Sequence, residues 1–274
     1  MPAPQASMMQ NLAKTQFRSF GIKIPTDWTG EESPKHTELE QGNPADLSAS
    51  AMWLFKPAST IKLHVEAAKS KSREFESYID GICSAICSAW STWQSAAALV
   101  GVMINGPVAA LGNVVGPPWT PLILAQGPNG KPQETKYTKT IATVIGTAWQ
   151  QYTLTIKVPA MPWYPAFLMF PLAVAPPMPN IPCPVAALTQ AAPLVGKSAL
   201  KSQMIAQHGD PQAQHHRELF DCIADAFEKC HQVWQTSTQV TNVLGFGPVP
   251  SWTPVSPAGP VVAGFGAMMP GGFV

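Results

Sequence analysis

Residues 79–108, IDGICSAICSAWSTWQSAAALVGVMINGPV, lie without gaps on residues 220–249, FDCIADAFEKCHQVWQTSTQVTNVLGFGPV. The alignment pairs Asp80 with Asp221, Ile82 with Ile223, Ala85 with Ala226, Trp93-Gln94 with Trp234-Gln235, and Gly106-Pro107-Val108 with Gly247-Pro248-Val249. Upstream, STIK at 59–62 answers SALK at 198–201; downstream, Trp119-Thr120-Pro121 answers Trp252-Thr253-Pro254 across a connection of different length. A third copy starts where IATVIGTAW at 141–149 matches ICSAICSAW at 82–90, and it leads through Val158-Pro159 into Pro162-Trp163-Tyr164-Pro165. One module is thus repeated two or three times.

The module reads as helical. Ile79, Ile82, Ile86, Trp93, Ala97 and Val100 recur at spacings of three, four or seven, as do Phe220, Ile223, Phe227 and Trp234, which places them on one wide apolar face. In the second copy Asp210-Pro211 supplies a cap and a first-turn proline, and Gly245 to Pro248 supply a stop, predicting a helix over 211–244. The other face of the first helix carries Ser84, Ser88, Ser91, Thr92 and Ser95; a helix without charge all round is usually buried all round. The Trp93 and Trp234 copies are expected to meet in one domain about an approximate twofold axis. Near the N-terminus, Met9, Leu12, Phe17 and Phe20 make a short amphipathic helix, followed by an acidic, solvated loop over 27–46.

Three tracts, 81–130, 158–196 and 230–274, contain no Asp, Glu, Lys or Arg. Their prolines and glycines argue against membrane spans, which need about 20 apolar residues that stay helical. Within 158–196 lie Pro159, Pro162, Pro165, Pro171, Pro176, Pro177, Pro179, Pro182, Pro184 and Pro193, each lacking an N–H and biasing its predecessor away from helix. The expected form is an extended, apolar arm laid in a groove, since extended chain cannot satisfy its own backbone groups. The tail 257–274, PAGPVVAGFGAMMPGGFV, has too little helix- or strand-forming sequence to fold alone. The fold expectation is therefore mainly α: internally duplicated helical modules joined by long Pro-rich extended arms. Its segments are an N-terminal helix and acidic loop (1–56), module 1 with a W-T-P arm (57–130), a third helix copy with the Pro-rich arm (131–196), and module 2 with arm and tail (197–274). Trp119, Pro121, Trp163, Pro165, Trp252, Pro254 and Phe273 are the expected contacts to other subunits, as aromatic and proline anchors.

Composition bounds the chemistry. Of 274 residues, 46% are apolar and only 12% charged, about half the usual charged share, while Pro (29) is about twice as frequent as usual. A net charge of +1 with no basic stripe speaks against nucleic acid as a partner. The N-terminus MPAPQASMMQ lacks the basic and apolar regions of a signal peptide. With five cysteines, an odd number, this points to reduced thiols and synthesis in the cytoplasm.

Chemical motifs are few. Glu228-Lys-Cys-His231 has the E-x-x-H spacing of di-iron helices, with Asp221 and Asp225 two turns and one turn before Glu228. The equivalents of Asp225, Glu228 and His231 in the first copy are Ser84, Cys87 and Trp90, so a solvated face is the reading preferred over a metal site. Cys83 and Cys87 lack a second pair to complete a zinc site, and His215-His216 read as exposed. No P-loop, G-x-S-x-G, G-x-G-x-x-G or H-E-x-x-H occurs. We expect no catalytic residues, no metal and no cofactor.

Low charge, richness in Ala, Pro, Gly and Trp, and long arms resemble structural subunits of bacteriophage particles or phage-tail-like machines. That likeness implies a virion component, tail or baseplate rather than shell, whose partners are other copies of itself and other subunits. The competing expectation is a membrane-active protein that inserts unpacked helices, for which 96–104 is the best segment. On the arm reading, removal of residues 257–274 leaves a folded subunit that fails to assemble, as light scattering would show.

Overall fold

The computed structural model describes residues 3–20 and, apart from 212, 214 and 255, residues 60–274. The acidic loop expected over 27–46 lies outside the described residues. The chain divides into two units, Met1–Phe17 with Ile79–Val274, and Arg18–Tyr78. In the second unit, Arg18 and Glu76 pair at 2.7 Å.

Helices are α1 (Ala6–Ser19), α2 (Thr60–Ala96), α3 (Trp119–Gln126), α4 (Pro132–Thr155), α5 (Lys197–His208) and α6 (His216–Ser237). Strands are β1 (Ala98–Asn105), β2 (Val108–Val115), β3 (Val158–Met161), β4 (Val174–Met178), β5 (Cys183–Pro184), β6 (Gln239–Val240), β7 (Val243–Pro248) and β8 (Gly264–Met268). Six strands form one antiparallel sheet in the order β3-β2-β1-β8-β7-β4. The described residues are therefore mixed α/β, 54% helix and 20% strand, and the expectation of a mainly α fold with long extended arms is overturned.

Both repeat helices end before the repeat does. In copy one the helix stops at Ala96, and Leu99, Val102 and Ile104 turn inward from β1. In copy two it starts at His216, not at 211, and stops at Ser237 rather than 244. The Thr-Gln-Val-Thr-Asn-Val run over 238–243 is rich in β-branched residues, which favour a pleated surface over a helix. Asp210 lies before α6 rather than at its start; it pairs with Lys136 at 2.8 Å, just past Gly209, which ends α5 with φ +62°.

The Pro-rich stretch 158–196 is not an arm either. It supplies β3, β4 and β5 and three 3-10 turns, all paired within the chain. Three of its ten prolines, Pro159 on β3 and Pro176 and Pro177 on β4, sit on the two outermost strands, where a missing N–H breaks no ladder bond. Just beyond these edges, the Ile181 N–H donates to the Trp163 carbonyl at 3.0 Å and links the two sides of the sheet. The tail supplies β8, inserted between β1 and β7 in the middle of the sheet. Phe273, one residue from the end, is 3% exposed and stacks on Trp93 at 5.6 Å.

The repeat is threefold. A shift of 59 carries Trp90 and Trp93 onto Trp149 and Tyr152, and a shift of 141 carries them onto His231 and Trp234. The three first positions close a triangle of ring centroids: Trp90–Trp149 4.9 Å, Trp149–His231 5.9 Å, Trp90–His231 6.3 Å. The backbone repeats as well. Eleven residues past each of the three triangle positions, at Gly101, Ala160 and Asn242, φ is positive (71°, 41° and 56°). Three residues earlier, Ala98, Lys157 and Gln239 each pair with a returning segment at Val115, Thr189 and Val274. Each unit is thus a long helix, an outgoing strand and a return; the turn is Gly106-Pro107 in the first unit and a long excursion in the other two. Trp93 and Trp234 meet as expected, with ring centroids 6.1 Å apart, and Trp149 of the third copy joins them at 4.9 Å and 5.6 Å.

Glycines on the inner face of β7 and β8 make room for Tyr164. A Cβ at Gly245 would lie 2.6 Å from the Tyr164 ring, whose hydroxyl donates to the Val243 carbonyl at 2.6 Å. Because the tail is a central strand plus a core aromatic, deletion of 257–274 is expected to abolish the cooperative unfolding transition, not only assembly. Phe273→Ala in the full chain should cost about 3 kcal/mol in denaturant unfolding.

Candidate functional site

Three groups of residues bear on function: the α6 titratable cluster, the cysteines and the exposed side of the sheet. On α6, Asp221 and Asp225 are one turn apart, and α5 sets Lys197 and Lys201 opposite at the same spacing. The result is a ladder of alternating charge: Lys201–Asp221 2.6 Å, Lys197–Asp221 2.9 Å, Lys197–Asp225 3.3 Å and Lys229–Asp225 2.6 Å. Burial pushes the Asp221 carboxyl up, and the hydrogen bonds and charges of Lys201 and Lys197 outweigh it, leaving its pKa below the usual carboxylate value. These carboxylates are therefore occupied by cations of the chain itself and join α5 to α6. They are buried, which corrects the expectation of a solvated face.

His231 lies apart from them, in the aromatic centre. Its ring meets Tyr152 edge-on at 4.8 Å and lies within 6.4 Å of Trp90, Trp149, Phe227 and Trp234. Its Nε2 has no hydrogen-bond partner. Burial lowers its pKa to about 4, so the ring is neutral at pH 7. Among the described residues no group of three or more His, Cys, Asp or Glu is placed to hold a metal ion.

Cys83, Cys87, Cys222 and Cys230 are buried and Cys183 half-buried, all as free thiols. Burial pushes Cys87 up to about 12 and Cys230 to about 11, so both stay protonated and unreactive at neutral pH. His216, expected to be exposed, is buried beside His208, with Nδ1 2.6 Å from the Ala213 carbonyl.

The expected subunit contacts fall into two sets. Trp119, Trp163 and Phe273 are buried in their own chain; Trp119 stacks on Trp149 at 4.2 Å. Trp252 is half-buried, and Pro121, Pro165 and Pro254 are exposed. Only the prolines and Trp252 remain available to another molecule, because an indole that fills the chain's own core cannot also anchor a partner.

Sequence reasoning missed the sheet's outer side. None of the eight strands contains Asp, Glu, Lys or Arg, since all of them fall inside the three charge-free tracts. Side chains facing outward include Met103 (43% exposed), Phe246 (44%) and Phe265 (58%). The charge-free tracts were the available signal; their period of two was hidden by glycine and proline. The charges of the described residues lie on the helices and their connections, so helical and sheet parts differ sharply in polarity.

The buried imidazole makes a pH prediction. His231 titrates near 6.5 when unfolded and about 4 when folded, so folding stability is full above pH 6.5, falls as the unfolded state takes up its proton, and is about 3 kcal/mol lower by pH 4. His231→Phe, which keeps a ring in the cluster, should flatten denaturant-measured stability across that window. Loss through Asp221 begins only near its ordinary value of 3.8, where the unfolded carboxylate takes up its proton while the folded one stays ionised, and is complete once the folded one also protonates.

No helix among the described residues is long and apolar enough to cross a membrane. Compared with known proteins, the chain matches no family model, no curated protein and no solved structure.

Proposed function

We propose that this chain is a non-enzymatic structural subunit of a large multi-protein assembly, and by likeness of composition a component of a virion or phage-tail-like particle, in tail or baseplate. Its partners on this reading are other copies of itself and other subunits of the same particle.

The arms no longer support this reading, since both fold back onto their own chain. A single observation carries it instead: a six-stranded sheet without one ionisable residue, whose outer face exposes Met103, Phe246 and Phe265. A large uncharged face with exposed aromatics is what subunit contacts require and what an isolated protein avoids. The reading also accounts for the buried, protonated thiols and the cation-saturated carboxylates, which serve packing rather than chemistry.

Fractionation of source cells or their released particles on a density gradient, followed by detection of this chain, tests the proposal. We expect it to sediment with a high-mass complex containing other defined proteins; recovery only at the mass of one or two chains would overturn it.

A further inference from the structure

We infer that the outer face of the sheet is the interface of a twofold dimer, with a second copy of this chain as its occupant. The inference deepens the assembly reading by naming the surface and the partner, and it is tested separately from it.

Cross-strand register sets one row across four neighbouring strands. Ala110 of β2 stands opposite Met103 of β1, Met103 opposite Phe265 of β8, and Phe265 opposite Phe246 of β7. Residues directly opposite in an antiparallel pair share a face; here Met103, Phe265 and Phe246 are exposed and Ala110 half-exposed. The row therefore reads Ala, Met, Phe, Phe on the outside.

That order is self-complementary. A twofold axis parallel to the strands, above the gap between β1 and β8, lays Met103 of each copy over Phe265 of the other. It also lays Ala110 of each over Phe246 of the other. The first contact sets a thioether on an aromatic ring. The second sets the smallest side chain of the row against a large one, as interdigitating sheets need. Both contacts occur twice, as an isologous interface demands.

Three further features favour a copy of the same chain. Pro159 on β3 and Pro176-Pro177 on β4 remove N–H donors from both edges, so association by strand addition is blocked and the face is left. The strands of the sheet hold no ionisable residue; Lys157 Nζ reaches the face at Asn113 of β2, three residues along from Ala110, so only the row itself meets an identical row without desolvating a charge. With a net charge of only +1, the chain has little colloidal repulsion to keep such faces apart.

Area sets the expected strength. The four strands of the row, about 4.8 Å apart and roughly 20 Å long, give a footprint of roughly 400 Å² per copy. Two copies together remove about 800 Å², the size of a weak contact rather than a permanent one, so a dimer that dissociates on dilution is expected.

Sedimentation velocity of the full chain over a range of concentrations is the test, with circular dichroism confirming the fold of each variant. Wild type should move from the mass of one chain, 29.3 kDa, towards twice that as concentration rises. Met103→Glu and Phe265→Lys, each at an exposed position, should each remain at the mass of one chain. An equimolar mixture of the two should regain the dimer, because one contact then pairs Glu with Lys and the other keeps native Phe over Met. A monomeric wild type, single variants that dimerise as wild type does, or a mixture that stays monomeric would overturn the inference. So would monomeric wild type that instead floats with phosphatidylcholine vesicles. A monomer that nonetheless sediments with a high-mass complex from source cells sinks the dimer and leaves the assembly reading standing; a dimer found only at its own mass does the reverse.

Discussion

The structure depends on burying six ring-bearing residues where three equivalent helices meet. Trp90 and Trp93 on α2, Trp149 and Tyr152 on α4, and His231 and Trp234 on α6 each stand three residues apart, on one helical face. Large aromatic rings bury more area than any other side chains and constrain their neighbours' geometry, so the helices must converge where the rings do. Some of the polar atoms in this centre are tied locally, while Trp90 Nε1, Trp149 Nε1 and His231 Nε2 are buried without a hydrogen-bond partner. Trp234 Nε1 donates to Gln94 Oε1 at 2.9 Å, and Gln94 Nε2 donates to the Phe273 carbonyl at 3.0 Å. Gln235, the equivalent of Gln94, joins Tyr152 and Gln190 in a similar bond set. The repeated Trp-Gln pair is thus a packing element followed by its hydrogen-bonding partner.

From that centre the chain leaves each helix in the same way. The conserved backbone step within the repeat, a left-handed residue three places after the first paired one, survives at Ala160 and Asn242 although the side chain changes. Left-handed φ disfavours residues with a Cβ, so its retention at a non-glycine position marks a geometry enforced by the surrounding fold. The three outgoing and returning segments then meet in the sheet, which collects the three charge-free tracts into one body. Charge stays with the helices, where the Lys197, Lys201, Asp221, Asp225 and Lys229 ladder ties α5 to α6.

This division of labour explains which sequence readings held for site residues and which did not. Trp119, Trp163 and Phe273 are apolar residues in Pro- or Gly-rich surroundings, and local sequence cannot distinguish a ring facing a partner from one filling its own core. Asp221 and Asp225 look like an exposed acidic face until the lysines of α5, some 20 residues away, are placed opposite them. The Met103–Phe265 neighbourhood joins residues more than 150 positions apart, so no local pattern announces it.

What the sequence by itself determined is the repeat, the helical character of its apolar stripes, and the confinement of charge to particular stretches. These follow from residue identity and from periods of three to four, which local geometry converts directly into a face. Only the tertiary structure decided that the prolyl stretch and the glycine-rich tail become strands. Extended chain has no internal hydrogen bonds, so whether it is arm, loop or strand depends on a partner backbone that lies far away in the sequence. The tail is a strand because β1 and β7 stand on either side of it, and nothing within its own residues records their presence.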